Sequence, residues 1–122
     1  MKNIKFQATK HQKLWKAMRN SWYLVKKFGI TDTKIYLRRS ILQDYTDIFN
    51  SCYACEYDLQ VAKSKKEHHS CKYCPIHITR CGNVHSTLFQ MSVAIQSDNP
   101  ELYKRMCLDM ANSPVKLRVE FE

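Results

Sequence analysis

Cys52-Tyr53-Ala54-Cys55 is followed, fifteen residues later, by Cys71-Lys72-Tyr73-Cys74, so the chain carries the pattern C-x2-C-x15-C-x2-C. A gap of two residues lets both thiolates of a pair reach one ion from a single backbone turn, and a second such turn completes a tetrahedron. The pattern therefore predicts a structural Zn²⁺ site whose ligands are Cys52, Cys55, Cys71 and Cys74.

The same part of the chain allows other assignments. Cys81, His68 and His69 are close enough in sequence to replace one of the four cysteines, Cys81 above all. An iron–sulfur cluster would use the same thiolates, although no electron-transfer partner site is visible. A disulfide framework is a further alternative, but the first residues lack the apolar core of a secretory signal. We therefore expect a cytoplasmic protein, in which paired thiols more often hold metal.

Composition predicts one mainly helical domain. At 122 residues and 44% hydrophobic content, the chain suits a single core, and its two glycines and three prolines offer few of the tight turns of an all-β fold. No apolar run of about 18 residues is present, so we expect no transmembrane span. The predicted class is α+β: four to five helices, stapled by zinc, with a small terminal pair of strands.

The period of the apolar residues places the helices. A 3.6-residue period over about 9–28 predicts a first helix that stops at Gly29, and Thr31-Asp32 predicts the N-cap of a second. A further helix is expected from Glu56 to about Lys65, then one beyond the second cysteine pair, and a last one that starts at Asn99-Pro100.

Two alternating stretches predict the strands. Ile4, Phe6 and Ala8 alternate with polar residues, and residues 115–122 are apolar at odd numbers and charged at even ones. Because a lone strand needs a partner, the two ends are expected to pair with each other, or the last strand pairs across a homodimer. The domain then comprises a basic helical part (1–50), zinc-binding knuckles (51–82) and the C-terminal helices and strand (83–122).

Positive charge is concentrated at the N-terminal end. The formal net charge is +9, and residues 1–40 contain eleven Lys or Arg against one acid, Asp32, whereas residues 41–122 contain nine against ten acids. Four thiolates around one divalent ion would add about −2 to the second part. This polarity favours an anionic partner, either nucleic acid or an acidic surface of a host protein.

The cations of the predicted first helix share one face with an aromatic residue. At about 100° per residue, the side opposite the apolar face carries lysines with Tyr23 among them. Cations hold phosphates and an exposed ring can stack on a base, whereas the alternative is a solvated lysine-rich face with Tyr23 packed on a neighbour. The predicted nucleic-acid-binding residues are Lys13, Lys16, Arg19, Tyr23, Lys27, Lys34, Arg38 and Arg39.

Little in the sequence indicates an enzyme. With four cysteine ligands, zinc has no open position for water, and Asp44 and Asp47 are expected to form a solvated stripe on a helix. Some small nucleases combine cysteine knuckles with a metal-binding histidine, so a nuclease that uses His68 or His69 is a third hypothesis. Residues expected to be structural are His11, His77, His85 and Cys107.

The order of these motifs resembles a known group. His11-x-x-Leu14-Trp15, then Cys52-x-Ala54-Cys55-Glu56-Tyr57, then Cys71-x-x-Cys74-Pro75 followed by Cys81 resemble small, functionally uncharacterised zinc-finger-like proteins of tailed bacteriophages. The tryptophan that usually follows the second cysteine pair in that group is absent here. The resemblance implies synthesis in an infected bacterial cytoplasm. It also implies an alternative function, an inhibitor or adaptor that docks on a host or defence-system protein.

Overall fold

The computed structural model describes residues 6–45, 53–67, 73–76 and 86–113, and these ranges are mainly helical, as predicted. They contain five helices: α1 (Ala8–Arg19), α2 (Trp22–Ser40), α3 (Tyr53–Ser64), α4 (Thr87–Gln96) and α5 (Pro100–Ala111). No strand occurs within them, and β structure there is limited to isolated bridges at Phe6 and Ile76. The predicted strand at 115–122, and the start of the one at 4–8, lie outside the described residues. The strand prediction is wrong at Ala8, which already begins α1.

The core is formed where α1 packs along α5 and α4 covers α5. Tyr103 Oη donates a hydrogen bond to the Met18 carbonyl at 2.6 Å, and His11 Nε2 lies 3.0 Å from the Met110 carbonyl, which can only accept. His11 is therefore structural, as expected. Burial raises the pKa of the Cys107 thiol to about 12, which keeps it protonated and inert. The core side chains of these two helices are Leu14, Trp15 and Met18 from α1 and Tyr103, Cys107 and Met110 from α5.

The predicted first helix is in fact two helices. Instead of running from 9 to 28, the chain leaves α1 after Arg19 and enters α2 at Trp22. The linking residues Asn20 and Ser21 favour turns because their side chains compete for backbone hydrogen bonds, and the Ser21 hydroxyl donates to the Ala17 carbonyl at 2.9 Å. After the break, the Trp22 ring packs on Tyr103 with centroids 5.3 Å apart. The predicted basic face is therefore divided between two helices.

Gly29 interrupts α2, as expected for a helix stop, but helical backbone resumes at once. Its φ of 86° and ψ of 172° are the only non-helical values inside α2 and belong to a region that essentially only glycine occupies. The Thr33 hydroxyl donates to the Gly29 carbonyl at 2.7 Å. The predicted N-cap at Thr31-Asp32 is wrong, since helical backbone already precedes these residues.

The later helices agree more closely with prediction. α3 is described from Tyr53, three residues before the expected Glu56, so Cys55 lies in its first turn. α5 begins at Pro100 as predicted, with Asn99 Oδ1 accepting a hydrogen bond from the Leu102 amide at 3.1 Å. None of the helices in the described ranges is long and apolar enough to cross a membrane.

Replacing Gly29 with Ala is expected to lower the free energy of unfolding by about 1–3 kcal/mol, because a Cβ strains this backbone conformation. Apart from the neighbouring residues and the nearby backbone of the same helix, no atom lies within 4 Å of the added Cβ, so the loss would come from backbone strain and not from a clash with another part of the chain. Urea unfolding measures the change in the free energy of unfolding. The control Thr31→Ala, at an exposed helical position, should change stability by less than about 0.5 kcal/mol. Equal stability of G29A and the wild type would contradict the observed kink.

Candidate metal centre and nucleic-acid interface

Two of the four predicted zinc ligands lie in the described residues. Cys55 is half-buried in the first turn of α3, where the helix dipole favours a thiolate, and Cys74 is buried in the segment 73–76. In the described ranges alone, no group of three or more His, Cys, Asp or Glu is placed to hold a metal. The predicted or alternative ligands outside those ranges are Cys52, Cys71, Cys81, His68 and His69.

Asp58 connects the two cysteine-bearing segments. Its carboxylate is fully buried on α3, one turn after Cys55, and Oδ1 accepts a hydrogen bond from the Tyr73 amide at 2.7 Å. The Tyr73 hydroxyl in turn donates to Glu67, which follows the end of α3. The backbone beside Cys74 is thereby fastened to the helix that carries Cys55. Thiols from two fastened segments fit the soft donor set of structural zinc.

Arg38 ties α2 to the same end of α3. Its side chain is 1% exposed, with Nη2 2.8 Å from Asp44 Oδ2 and Nη1 2.6 Å from Glu56 Oε1. The guanidinium carbon lies 3.9 Å from the Tyr53 ring centroid, and the Tyr53 hydroxyl donates to Asp44 Oδ2 at 2.7 Å. Burial alone would lower the pKa of Arg38, but the hydrogen bonds to Glu56 and Asp44 outweigh it and raise this pKa. Since Glu56 follows Cys55, these ion pairs fix the turn that carries the thiol.

Two residues predicted to extend the basic surface are buried instead. Arg38 belongs to the ion-pair cluster, and Lys34 is buried with its Nζ 5.4 Å from the Trp15 ring centroid. The surface prediction is wrong for both, because the turn of α2 that buries Leu37 also directs positions 34 and 38 inward. Asp44 is likewise buried as a partner of Arg38 and is no part of a solvated stripe. Asp47 lies outside the described residues.

The other predicted binding residues are exposed. Tyr23 is 87% exposed, so its ring does not pack on any described neighbour. Lys26, which was not among the predicted residues, donates to the Ile95 carbonyl at 3.1 Å and pairs with Asp98 at 3.3 Å, so it faces α4 and the turn after it. The exposed cations on α1 and α2 that the sequence predicted are Lys13, Lys16, Arg19, Lys27 and Arg39.

A groove on α2 was missed by the sequence analysis. It encloses about 400 Å³ around the Gly29 kink. The i, i+4 spacing of Leu24 and Phe28 before the glycine, and of Asp32 and Tyr36 after it, is the signal that could have indicated it. The residues that line it are Leu24, Phe28, Asp32, Thr33 and Tyr36.

Comparison with protein-family models, curated proteins and solved structures found no match. The resemblance to phage zinc-finger-like proteins therefore stays a prediction.

Replacing Arg38 with Ala is expected to lower the free energy of unfolding by about 3–5 kcal/mol, because it removes the buried cation that Asp44 and Glu56 share. The control Arg39→Ala removes the same charge from an exposed position on the same helix and should cost less than about 0.5 kcal/mol. Denaturant unfolding of both variants measures the difference. Equal losses would contradict the buried network.

Replacing Asp58 with Ala is expected to weaken zinc binding by about 10–100-fold, because the Tyr73 amide loses its acceptor and the turn beside Cys74 loosens. Competition with a chromophoric chelator, on the reduced protein, measures the affinity. Asp58→Asn keeps an acceptor oxygen and should retain more affinity, while Asp32→Ala, an exposed carboxylate on α2, should have no effect. An unchanged affinity in D58A would contradict a role for Asp58 in holding the site.

Proposed function

We propose that this protein is a small, non-enzymatic zinc-binding protein that binds nucleic acid through the exposed cations of α1 and α2. The observation that carries the proposal is the set of exposed cations on these two helices. α1 buries its apolar side against α5 and leaves Lys13, Lys16 and Arg19 exposed, and α2 adds Lys27 and Arg39. Phosphates neutralise such a surface, and the exposed Tyr23 ring offers a stacking face for a base.

The proposed zinc ion has a structural role. Cys52, Cys55, Cys71 and Cys74 would hold it, with Cys81 as the alternative fourth ligand. Four thiolates leave no position for a reactive water, so the ion would supply folding energy and not hydrolysis. Structural zinc contributes roughly 10–16 kcal/mol of apparent binding free energy in zinc-finger peptides, which is large compared with the stability of a small domain.

A second candidate is an inhibitor or adaptor that docks on a host or defence-system protein in the bacterial cytoplasm, as the resemblance implies. The observation in its favour is a set of large exposed apolar side chains on and after α2. Such side chains are common anchors of protein interfaces. A stoichiometric protein partner that is captured from nuclease-treated bacterial lysate would support this candidate over the first. Besides Tyr23, these exposed side chains are Phe28, Tyr36, Ile41 and Tyr45.

Replacing Lys16 with Glu is expected to weaken nucleic-acid binding and to reduce the slope of log K against log salt by about 0.9 for duplex or about 0.7 for single strands, because one phosphate contact is lost. Anisotropy titrations over a range of salt measure the slope. The control Arg105→Glu changes the net charge equally at an exposed position on α5 and should leave the slope unchanged. An affinity that hardly varies between about 50 and about 200 mM salt would contradict the proposed function.

A further inference from the structure

The groove at the Gly29 kink presents two aromatic rings to solvent. Phe28 is 54% exposed and Tyr36 is 58% exposed, and they stand on opposite sides of the kink. With Leu24 they make the groove largely apolar. A flat base can stack on such rings, but only when it is not already stacked inside a duplex. The shape and chemistry of the groove thus fit a base of a single strand.

Two exposed cations of α2, Lys27 before the kink and Arg39 after it, lie close in sequence to residues that line this groove. Lys27 Nζ lies 5.3 Å from the Phe28 ring centroid. Arg39 is exposed and follows Tyr36 by three residues, which places it one turn further along the same side of α2. A strand whose base enters the groove carries a phosphate on each side of that base. Positive charge before and after the kink complements this arrangement.

Asp32 supplies a hydrogen-bond acceptor in the wall of the groove. It is the one acid among the first forty residues, it is exposed, and its carboxylate has no hydrogen bond or ion pair with any other described residue. A carboxylate repels phosphate, so in this position it favours a ligand that brings a donor. Cytosine, adenine and guanine carry an exocyclic amino donor. Thymine and uracil carry only the ring N3–H as a donor, and the carbonyl oxygens on both sides of it repel a carboxylate.

We propose that the groove binds one base of a single-stranded nucleic acid and prefers a base that carries an exocyclic amino group. The base stacks on Phe28 or Tyr36, its flanking phosphates lie at Lys27 and Arg39, and its amino group donates to Asp32. This inference rests on the proposed function, in which the cations of α1 hold the neighbouring phosphates. It adds the class of nucleic acid and the residue that discriminates between bases.

The test uses the full-length, reduced, zinc-loaded protein and anisotropy of fluorescent oligodeoxycytidylate and oligothymidylate of equal length, near neutral pH. Oligodeoxycytidylate should bind about tenfold more tightly, the effect of one hydrogen bond to a charged acceptor. Asp32→Leu should bring the ratio of the two affinities close to one. The ratio is the readout because removal of a negative charge strengthens binding of every nucleic acid. The same ratio for oligoribocytidylate and oligouridylate would extend the result to RNA.

Stacking is tested with Phe28→Ala, which should lower the affinity for both oligomers about tenfold or more. The matched control Phe89→Ala removes a ring that is 44% exposed on α4, outside the groove, and should have no effect. Because Phe28 and Asp32 are exposed, far-UV circular dichroism should show folded variants. Tyr36→Ala provides a second test of stacking in the same groove.

The experiments distinguish a failure of the groove inference from a failure of the proposed function. Equal affinity for the two oligomers in both sugar series, an unchanged ratio in D32L, equal effects of F28A and F89A, or tighter binding of a duplex would overturn the groove inference. Each of these leaves salt-dependent binding through α1 intact. If no nucleic acid binds, the proposed function and the inference both fail. If the wild type then captures a protein partner and the F28A variant does not, the groove would be a docking surface for a protein instead.

Discussion

The guanidinium of Arg38 lies between the carboxylates of Asp44 and Glu56, beneath the Tyr53 ring, and connects two parts of the chain that the sequence keeps apart. Burial of an unpaired charge costs several kcal/mol, so this side chain stays inside only because both carboxylates reach it. Glu56 adjoins Cys55, and the ion pairs therefore set the position of a predicted zinc ligand relative to α2. α2 also carries Lys27, so this one helix supports the proposed metal centre through Arg38 and carries part of the proposed interface.

Acidic side chains near the zinc motif and the predicted binding cations differ in their exposure to solvent. Asp44, Glu56 and Asp58 are directed into the interior, where they bind a guanidinium or a backbone amide. Most of the predicted binding cations of α1 and α2 remain in solvent. Because the acids near the zinc motif are engaged internally, they do not offset the positive surface. A small domain with a modest core can in this way combine a stable interior with a strongly polar exterior.

Periodicity predicted the helical class, the start of α5 and the burial of Cys107, because these depend on local pattern and capping. It did not predict the break at residues 20–21, since apolar residues continue in register through it. The turn-favouring Asn20 and Ser21, and the packing of Trp22 on Tyr103, outweigh that pattern. The burial of the Arg38 guanidinium was also missed, although the stem of this side chain was expected on the inner face of its helix. Its partner Glu56 is eighteen residues away, and no local pattern shows that contact. The cysteine spacing predicts a ligand set, whereas the hydrogen bond from the Tyr73 amide to Asp58 is visible only in the fold.

Metal analysis of the reduced protein, combined with thermal unfolding before and after treatment with a strong chelator, tests most directly whether an ion joins the two cysteine turns. We predict one zinc per chain and a large fall in Tm on removal of the metal, because the cysteine turn beside Tyr73 would then be held to α3 without the metal. A protein that is metal-free when purified, and that unfolds at the same Tm with and without chelator, would contradict the zinc centre.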